Sequence, residues 1–465
     1  MSSAEVIVES ESLYAKRKAI YNKSVKGFFA RWRWAMVWLT QLVFYGLCWV
    51  PWNGRQALLF DLAARKFYVF GLVLWPQDVL YLTILLIISA YSLFLFTAIG
   101  GRLFCGYACP QTVYTEIFTW IERKIEGDRA ARMRRDQQPM NARTFGLKLA
   151  KHASWIALAL WTGFTFASYF TPARTLGADL LAGHLGPWQT FWIFFYAFAT
   201  YGMAGFMREQ VCKYMCPYAR FQSAMFDADT LIVTYDAGRG EPRGARSRKE
   251  DYKAAGKGDC VDCSVCVQVC PTGIDIRNGL QYECIGCSAC IDGCNEVMHK
   301  LGYPHGLIRY STERAMQMNW DRKQIVARIL RPRIVVYTVV LAAIVGAAAW
   351  MIGHRIPLKV DVIRDRGIMA REVAGGMIEN IYTLRVMNTD EKAHAYRLSA
   401  GGMPSLSLKG NPVVSVPAAS TESFATTLRA EAQSGEATSR NVYIEIVDVD
   451  DPGVRLREKA MFYLP

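Results

Sequence analysis

Histidine is scarce in this chain, six in 465 residues, and none of the six falls between Cys260 and Cys294. That is where cysteine is densest, and zinc knuckles usually add histidines or take two close cysteine pairs, so a zinc site is disfavoured there. Cysteine in turn is missing from residue 357 onward, which leaves that segment without disulfide or thiolate chemistry. No small-residue cleavage motif follows the first apolar run, so an anchor is expected rather than a removable signal peptide. Neither a Ser-Gly-Ala-Thr type flavin attachment sequence nor a glycine-rich dinucleotide loop between a strand and a helix is present. Charge is absent altogether from Val79 to Ile99.

What is there is apolar and basic. A hydrophobic content of 52% with 13 tryptophans implies membrane segments plus two or three soluble pieces, and the net charge of +14 suits nucleic acid or anionic lipid. Placement decides, because the basic residues flank apolar spans instead of forming a stripe on a soluble fold. Five spans are expected, at about Trp34–Val50, Val79–Ile99, Ala153–Phe170, Trp188–Met207 and Ile334–Ile352. The nine-residue apolar run Phe67–Trp75 is too short to cross a bilayer and is expected to lie at its interface. Residues 1–33 and 100–152 hold seven and ten Lys or Arg, against three in 51–78 and one in 171–187. The positive-inside rule then puts the N-terminus, residues 100–152 and residues 208–333 in the cytoplasm, and everything after the fifth span outside. Asp236–Lys257, glycine-rich and basic, reads as a linker solvated near lipid headgroups.

Cysteines at 260, 263, 266 and 270, followed by Pro271, and again at 284, 287, 290 and 294 repeat the spacing C-x2-C-x2-C-x3-C. This is the bacterial two-cluster ferredoxin pattern, in which the fourth cysteine of each run ligates the other cluster. Cys260, Cys263, Cys266 and Cys294 are therefore assigned to one 4Fe-4S cluster, and Cys284, Cys287, Cys290 and Cys270 to a second. Their cytoplasmic placement is a reducing one, where disulfides are rare.

A second motif, C-x-x-x-C-P, occurs twice where a span returns to the cytoplasm: Cys105 and Cys109 before Pro110, Cys212 and Cys216 before Pro217. Residues 34–125 and 153–227 thus read as two copies of one unit. Residues four apart share a helix face, and proline favours the first turn of a new helix, so each motif is expected to straddle a helix break. If the copies pack about a pseudo-twofold axis, four thiolates converge on one site, soft enough for Cu(I), zinc or an iron-sulfur unit. Met203, Met207 and Met215 are candidate thioether ligands or plain apolar filling, and Cys48 is expected to pack. No role is assigned to His299 or His305.

Beyond residue 357 the pattern changes to short alternating runs, PLKVDVI, IYTLRVMN, AYRLSA, SLSLKG, SFATTLRA, NVYIEIVDV and REKAMFYL, separated by turn residues. These predict a seven-stranded antiparallel sandwich. With no ligand-like cluster it is expected to be a docking module.

The strings CGYACPQTVYTEIFTWIER, CKYMCPYARFQSAMFDADTLIVTYDAGRGEPRG and GDCVDCSVCVQVCPTGIDIRNGLQYECIGCSACID, followed by GLIRY, resemble the FixG/CcoG (RdxA) family over residues 30–465. These are membrane-bound polyferredoxin accessory proteins for assembly of cbb-type cytochrome c oxidase. The resemblance implies a cupric reductase of the bacterial inner membrane, with Cys105, Cys109, Cys212 and Cys216 as the catalytic and copper-binding set. It also implies delivery of Cu(I) to a copper-exporting ATPase, and an immunoglobulin-like C-terminal domain in the periplasm. Copper comes from the resemblance alone; spacing shows two clusters and a paired-thiol membrane site. Two other readings stay open: an electron-transfer subunit feeding quinone, a third membrane cluster or a partner reductase, and a non-catalytic assembly scaffold. The expected architecture is a multi-domain membrane protein. It comprises a basic segment (1–33), a four-helix membrane domain (34–235), a ferredoxin domain with its linker (236–330), a fifth transmembrane helix (331–356) and the sandwich (357–465).

Overall fold

A computed structural model describes residues 19–246, 251–365, 367, 370–431 and 439–464, so most of the basic N-terminal segment and residues 247–250 of the linker lie outside the described residues. The chain divides into two compact units. One takes residues up to Val43 with Ala90–Phe164 and Thr190–Val339; the other takes Phe44–Ser89, Thr165–Gln189 and the chain from Val340 on.

Each of the five expected spans is helical: Phe28–Gly46, Val79–Gly100, Ala142–Ala167, Pro187–Thr200 continued as a π-helix through Tyr201–Met207, and Pro332–Gly353. Among the described residues, three helical stretches are long and apolar enough to cross a membrane: Pro76–Gly100, Pro187–Met207 and Pro332–Gly353. The other two fall short for a compositional reason. Arg31, Arg33 and Gln41 sit in the first, and the helix Ala142–Ala167 begins inside the basic stretch, with Arg143, Lys148 and Lys151 on its early turns.

In the first unit the strands Ile232–Tyr235 and Ile308–Ser311 pair antiparallel, with Ile232 opposite Ser311 and Tyr235 opposite Ile308. This pairing closes the ferredoxin module at its root. Val233, Tyr235, Ile274, Ile276, Ile291, Met298, Leu307 and Ile308 build its core together with Cys260, Cys266 and Cys294, and Cys270, Cys284 and Cys290 pack against it.

In the second unit the apolar run at Phe67–Trp75 takes up strand structure that its sequence did not predict. It forms strands Lys66–Val69 and Leu72–Leu74, paired with Leu58–Asp61 in a three-stranded antiparallel sheet. Arg65 (φ 55°) and Phe70 (φ 52°) take left-handed conformations at the two turns. Burial explains the difference, because Val73 and Trp75 pack against Met387, with Tyr68 and Ala419 alongside. Asp78 follows, 6% exposed, accepting from the Trp75 amide (3.0 Å) and from Arg355 Nη2 (3.0 Å) and pairing with Lys359.

The C-terminal domain has nine strands among the described residues, in two antiparallel sheets. One runs Ser407–Lys409, Thr421–Glu431, Met377–Asn388, Leu358–Arg364, with Arg371–Val373 also beside Met377–Asn388; the other runs Val413–Val416, His394–Gly401, Ser439–Asp448, Arg455–Tyr463. Inward residues of both sheets, among them Leu384, Tyr396, Leu428, Ile444 and Phe462, form one core. The two unexpected strands are Arg371–Val373, three residues long, and the proline-bracketed Val413–Val416, four residues long.

One ion pair there is pH-sensitive. His394 Nδ1 lies 2.6 Å from Asp448 Oδ2 and its Nε2 lies 3.0 Å from Asp390 Oδ2, and Asp448 is 1% exposed. Burial pulls the imidazole pKa down, but the two carboxylates outweigh it and the net shift is upward from 6.5. The folded state therefore gains stability that is complete below pH 6.5 and is lost as pH rises through the raised folded value. His394→Ala, which also strips Asp448 Oδ2 of its partner, is expected to cost about 1–3 kcal/mol. Thermal melts at acid and alkaline pH should show wild type and variant converging as pH rises; a constant gap would refute the assignment.

Candidate functional site

The two ferredoxin runs fold alike. Asp262 (φ 52°) and Gly286 (φ 66°) precede the second cysteine of each run, and Ser264 (φ 55°) and Ser288 (φ 59°) follow it. Each serine then opens a helical segment, Val265–Gln268 or Ala289–Leu301. These left-handed positions curl each C-x-x-C turn about a central space. One cavity is lined by Cys260, Cys263, Cys266 and Cys294 with Tyr235, Met298, Leu307 and Ile308. Another is lined by Cys270, Cys284, Cys287 and Cys290, and also by Cys266, with Val233, Ile274, Ile276 and Ile285. Each quartet expected from the spacing thus lines its own cavity, with the fourth cysteine of each run crossing to the other.

Whether these residues fit a cubane can be tested on geometry. Among the described residues no group of three or more His, Cys, Asp or Glu is drawn close enough to chelate a single ion. Four thiols around an apolar space, rather than a point, suit a four-iron cluster and not zinc. Burial pushes the Cys284 and Cys294 thiols up to about 12 and Cys266 to about 11. Such thiols keep their protons until iron displaces them, so loading releases protons and grows easier as pH rises. Cys263 alone among the cysteines is exposed.

The C-x-x-x-C-P motifs sit at helix breaks. Leu103–Tyr107 is a five-residue helix, Cys109 is extended (φ −61°, ψ 128°), and Pro110 opens the helix Pro110–Glu126. In the second copy the π-helix Val211–Met215 leads to extended Cys216 (φ −80°, ψ 110°), and Pro217 opens Pro217–Met225. Proline donates no amide and its fixed φ suits a first turn, which explains the break at each site. The copies are stitched together: Gln111 Nε2 donates to the Met203 and Arg208 carbonyls (3.0 Å each), and Arg208 Nη2 lies 3.1 Å from Glu122 Oε2.

This arrangement brings the four thiols into one neighbourhood, where Cys105 lies in the field of Cys109, Cys212 and Cys216. Burial pushes the Cys105 thiol up to about 12 and Cys212 to about 11. Cys105 Sγ donates to Gln222 Oε1 (3.2 Å), and Gln222 is wholly buried. Met203 and Met215 carry exposed side chains, 37% and 51%, which speaks for filling rather than ligation. Cys48 packs with Tyr169 and Ala173 as expected.

Sequence reasoning missed how the two cysteine systems meet. Cys105 belongs to one apolar cluster with Cys287, Ile285, Val269 and Ala289, and Cys212 and Cys290 pack against it. Gly106, between the cysteines of the first motif, lies against the loop between Cys284 and Cys287; a Cβ there would stand 2.9 Å from the Gly286 and Ile285 carbonyl oxygens. A glycine inside C-x-x-x-C-P was the available signal. Asp292, between Cys290 and Cys294, accepts from the amides of Phe29 (3.3 Å) and Ala30 (2.7 Å), capping the N-terminus of the helix Phe28–Gly46. A Cβ on Gly27 would collide with that carboxylate.

Three family models match the chain: a 4Fe-4S dicluster domain over residues 207–313, a 4Fe-4S binding domain over 82–127, and the IG-like fold at the C-terminal of FixG over 348–465. Among curated proteins, RdxB of Cereibacter sphaeroides is 39% identical over 422 residues, covering 88% of each chain. The nitrogen fixation protein FixG of Rhizobium meliloti is 37% identical, covering 85% of this chain and 82% of its own. RdxA of Cereibacter sphaeroides is 37% identical and covers 96% of each.

Proposed function

Because the chain belongs to the FixG/RdxA family, we propose that this iron-sulfur electron-transfer protein is a membrane-anchored cupric reductase. Its substrate is Cu(II), reduced by one electron to Cu(I) at Cys105, Cys109, Cys212 and Cys216. When bound, a four-iron cubane takes up and returns single electrons. Cys260, Cys263, Cys266 and Cys294 are proposed to hold one, and Cys270, Cys284, Cys287 and Cys290 the other. The observation that carries the reading is the backbone contact of Gly106 with Ile285 and Gly286, which sets the membrane-side thiols against the loop of the second quartet.

The residues order the path. An electron from a cytosolic donor enters where Cys263 is exposed and leaves by Cys287 and Cys290, which share an apolar cluster with Cys105 and Cys212. Apolar walls exclude water along this route. At its end, thiolate sulfur stabilises Cu(I) more than Cu(II) and adds driving force, while the thiols give up the protons that burial had kept on them. In this proposal the cysteine-bearing side faces the cytoplasm and the C-terminal domain the periplasm, as the Lys/Arg bias indicates. Cu(I) would pass to a copper-exporting ATPase serving cbb-type oxidase assembly.

A second reading has its own support. The 4Fe-4S binding model covers residues 82–127, and with them Cys105 and Cys109, and no group there is close enough to chelate one ion. The membrane thiols would then hold a third cluster. Metal analysis of purified, reconstituted protein separates the two. About eight iron per chain, two clusters of four, is expected, together with one Cu(I) trapped by a chelator for each electron lost by dithionite-reduced protein. About twelve iron would favour the third cluster, and reduced protein that stays reduced in Cu(II) would overturn the proposal.

A further inference from the structure

Arg102 is 4% exposed and lies three residues before Cys105. Its guanidinium donates to the carbonyl of Ala219, in the helix that follows the second C-x-x-x-C-P motif. Its backbone lies against the ferredoxin loop, where a Cβ on Gly286 would stand 3.3 Å from the Arg102 carbonyl carbon and oxygen. One residue therefore sits where both membrane motifs and the Cys284–Cys287 turn meet. Burying a guanidinium is expensive, and unlike a lysine it cannot escape by losing its proton. Such a charge is kept where negative charge has to be balanced.

We infer that Arg102 is a positioning charge for the redox centre on the Cys284 side: a buried cation whose backbone rests on the Gly286 turn, it sets the reduction potential of that centre. The physics is Coulombic. Each added electron makes a thiolate-held cluster more negative, and a fixed cation in a poorly screened interior stabilises that state, so net charge and surroundings set its potential.

The inference rests on the reading that the ferredoxin quartets hold clusters, and its test separates the two. Full-length protein is reconstituted, its iron counted, and both cluster couples titrated by EPR in wild type, Arg102→Gln and Arg102→Lys. In the Gln variant one couple should become harder to reduce by about tenfold in the equilibrium constant, or about 59 mV for one electron, while the other stays put. The Lys variant should keep most of the wild-type value, although its bond to Ala219 is changed. Couples that do not move, or that move together, overturn the inference. If the neutral variant loses iron while the Lys variant keeps it, charge is again the cause. If both lose iron equally, the role is structural and the inference fails. Wild-type protein lacking two couples would instead sink the cluster reading itself.

Discussion

Serine in place of Cys212 is expected to lower Cu(II) reduction by at least about a hundredfold, beyond the 10–100-fold that loss of an outer-shell partner usually costs a metal site. The substitution is nearly isosteric, so the apolar cluster that Cys212 shares with Cys105, Ile285 and Cys287 should survive. What changes is the donor, because hydroxyl oxygen is hard and does not select the lower oxidation state. The eight ferredoxin cysteines line separate cavities and are untouched, so iron should stay at about eight per chain. Serine at Cys105, Cys109 or Cys216 should behave alike. The measurement is colour from a Cu(I) chelator after stoichiometric reduction, with iron counted on the same sample. Wild-type rates in all four variants would end the copper proposal, and a fall from about twelve to about eight iron would identify the site as a third cluster.

Removing the carboxylate of Asp78 should have the largest effect on stability. Asp78 is 6% exposed, and its side chain faces both Arg355 and Lys359, whose side chains are 10% and 24% exposed. Asp78→Ala leaves two cations and the Trp75 amide without their acceptor, a loss of about 3–5 kcal/mol for a broken buried pair. For a unit of this size that corresponds to a fall of roughly 10 °C in the unfolding midpoint. Asp78→Asn, which keeps an acceptor oxygen, should fall between. Equal midpoints for wild type and Asp78→Ala would show that the pair contributes nothing.

The parts legible in sequence were those whose signal is local. Cysteine spacing announces which sulfurs share a cavity, because the C-x2-C turn brings its own residues together. A charge-free run such as Val79–Ile99 needs no partner to be read as a helix. The packing of Phe67–Trp75 was not legible because its burying partners, Met387 and Ala419, lie more than three hundred residues away in sequence. Arg102 was invisible for a related reason, and Gly106 marks a close approach without telling that the loop from residues 284–287 is what rests on it.

The cap on the first long helix carries a further consequence. Asp292 reaches Phe29 and Ala30 from the helix Ala289–Leu301, on which Cys290 and Cys294 line the two cavities. A helix start whose first amides are capped from another helix is tied to it. A shift of the cysteine-bearing helix is therefore passed on as a lost cap at Phe29 and Ala30, more than 260 positions earlier in the chain.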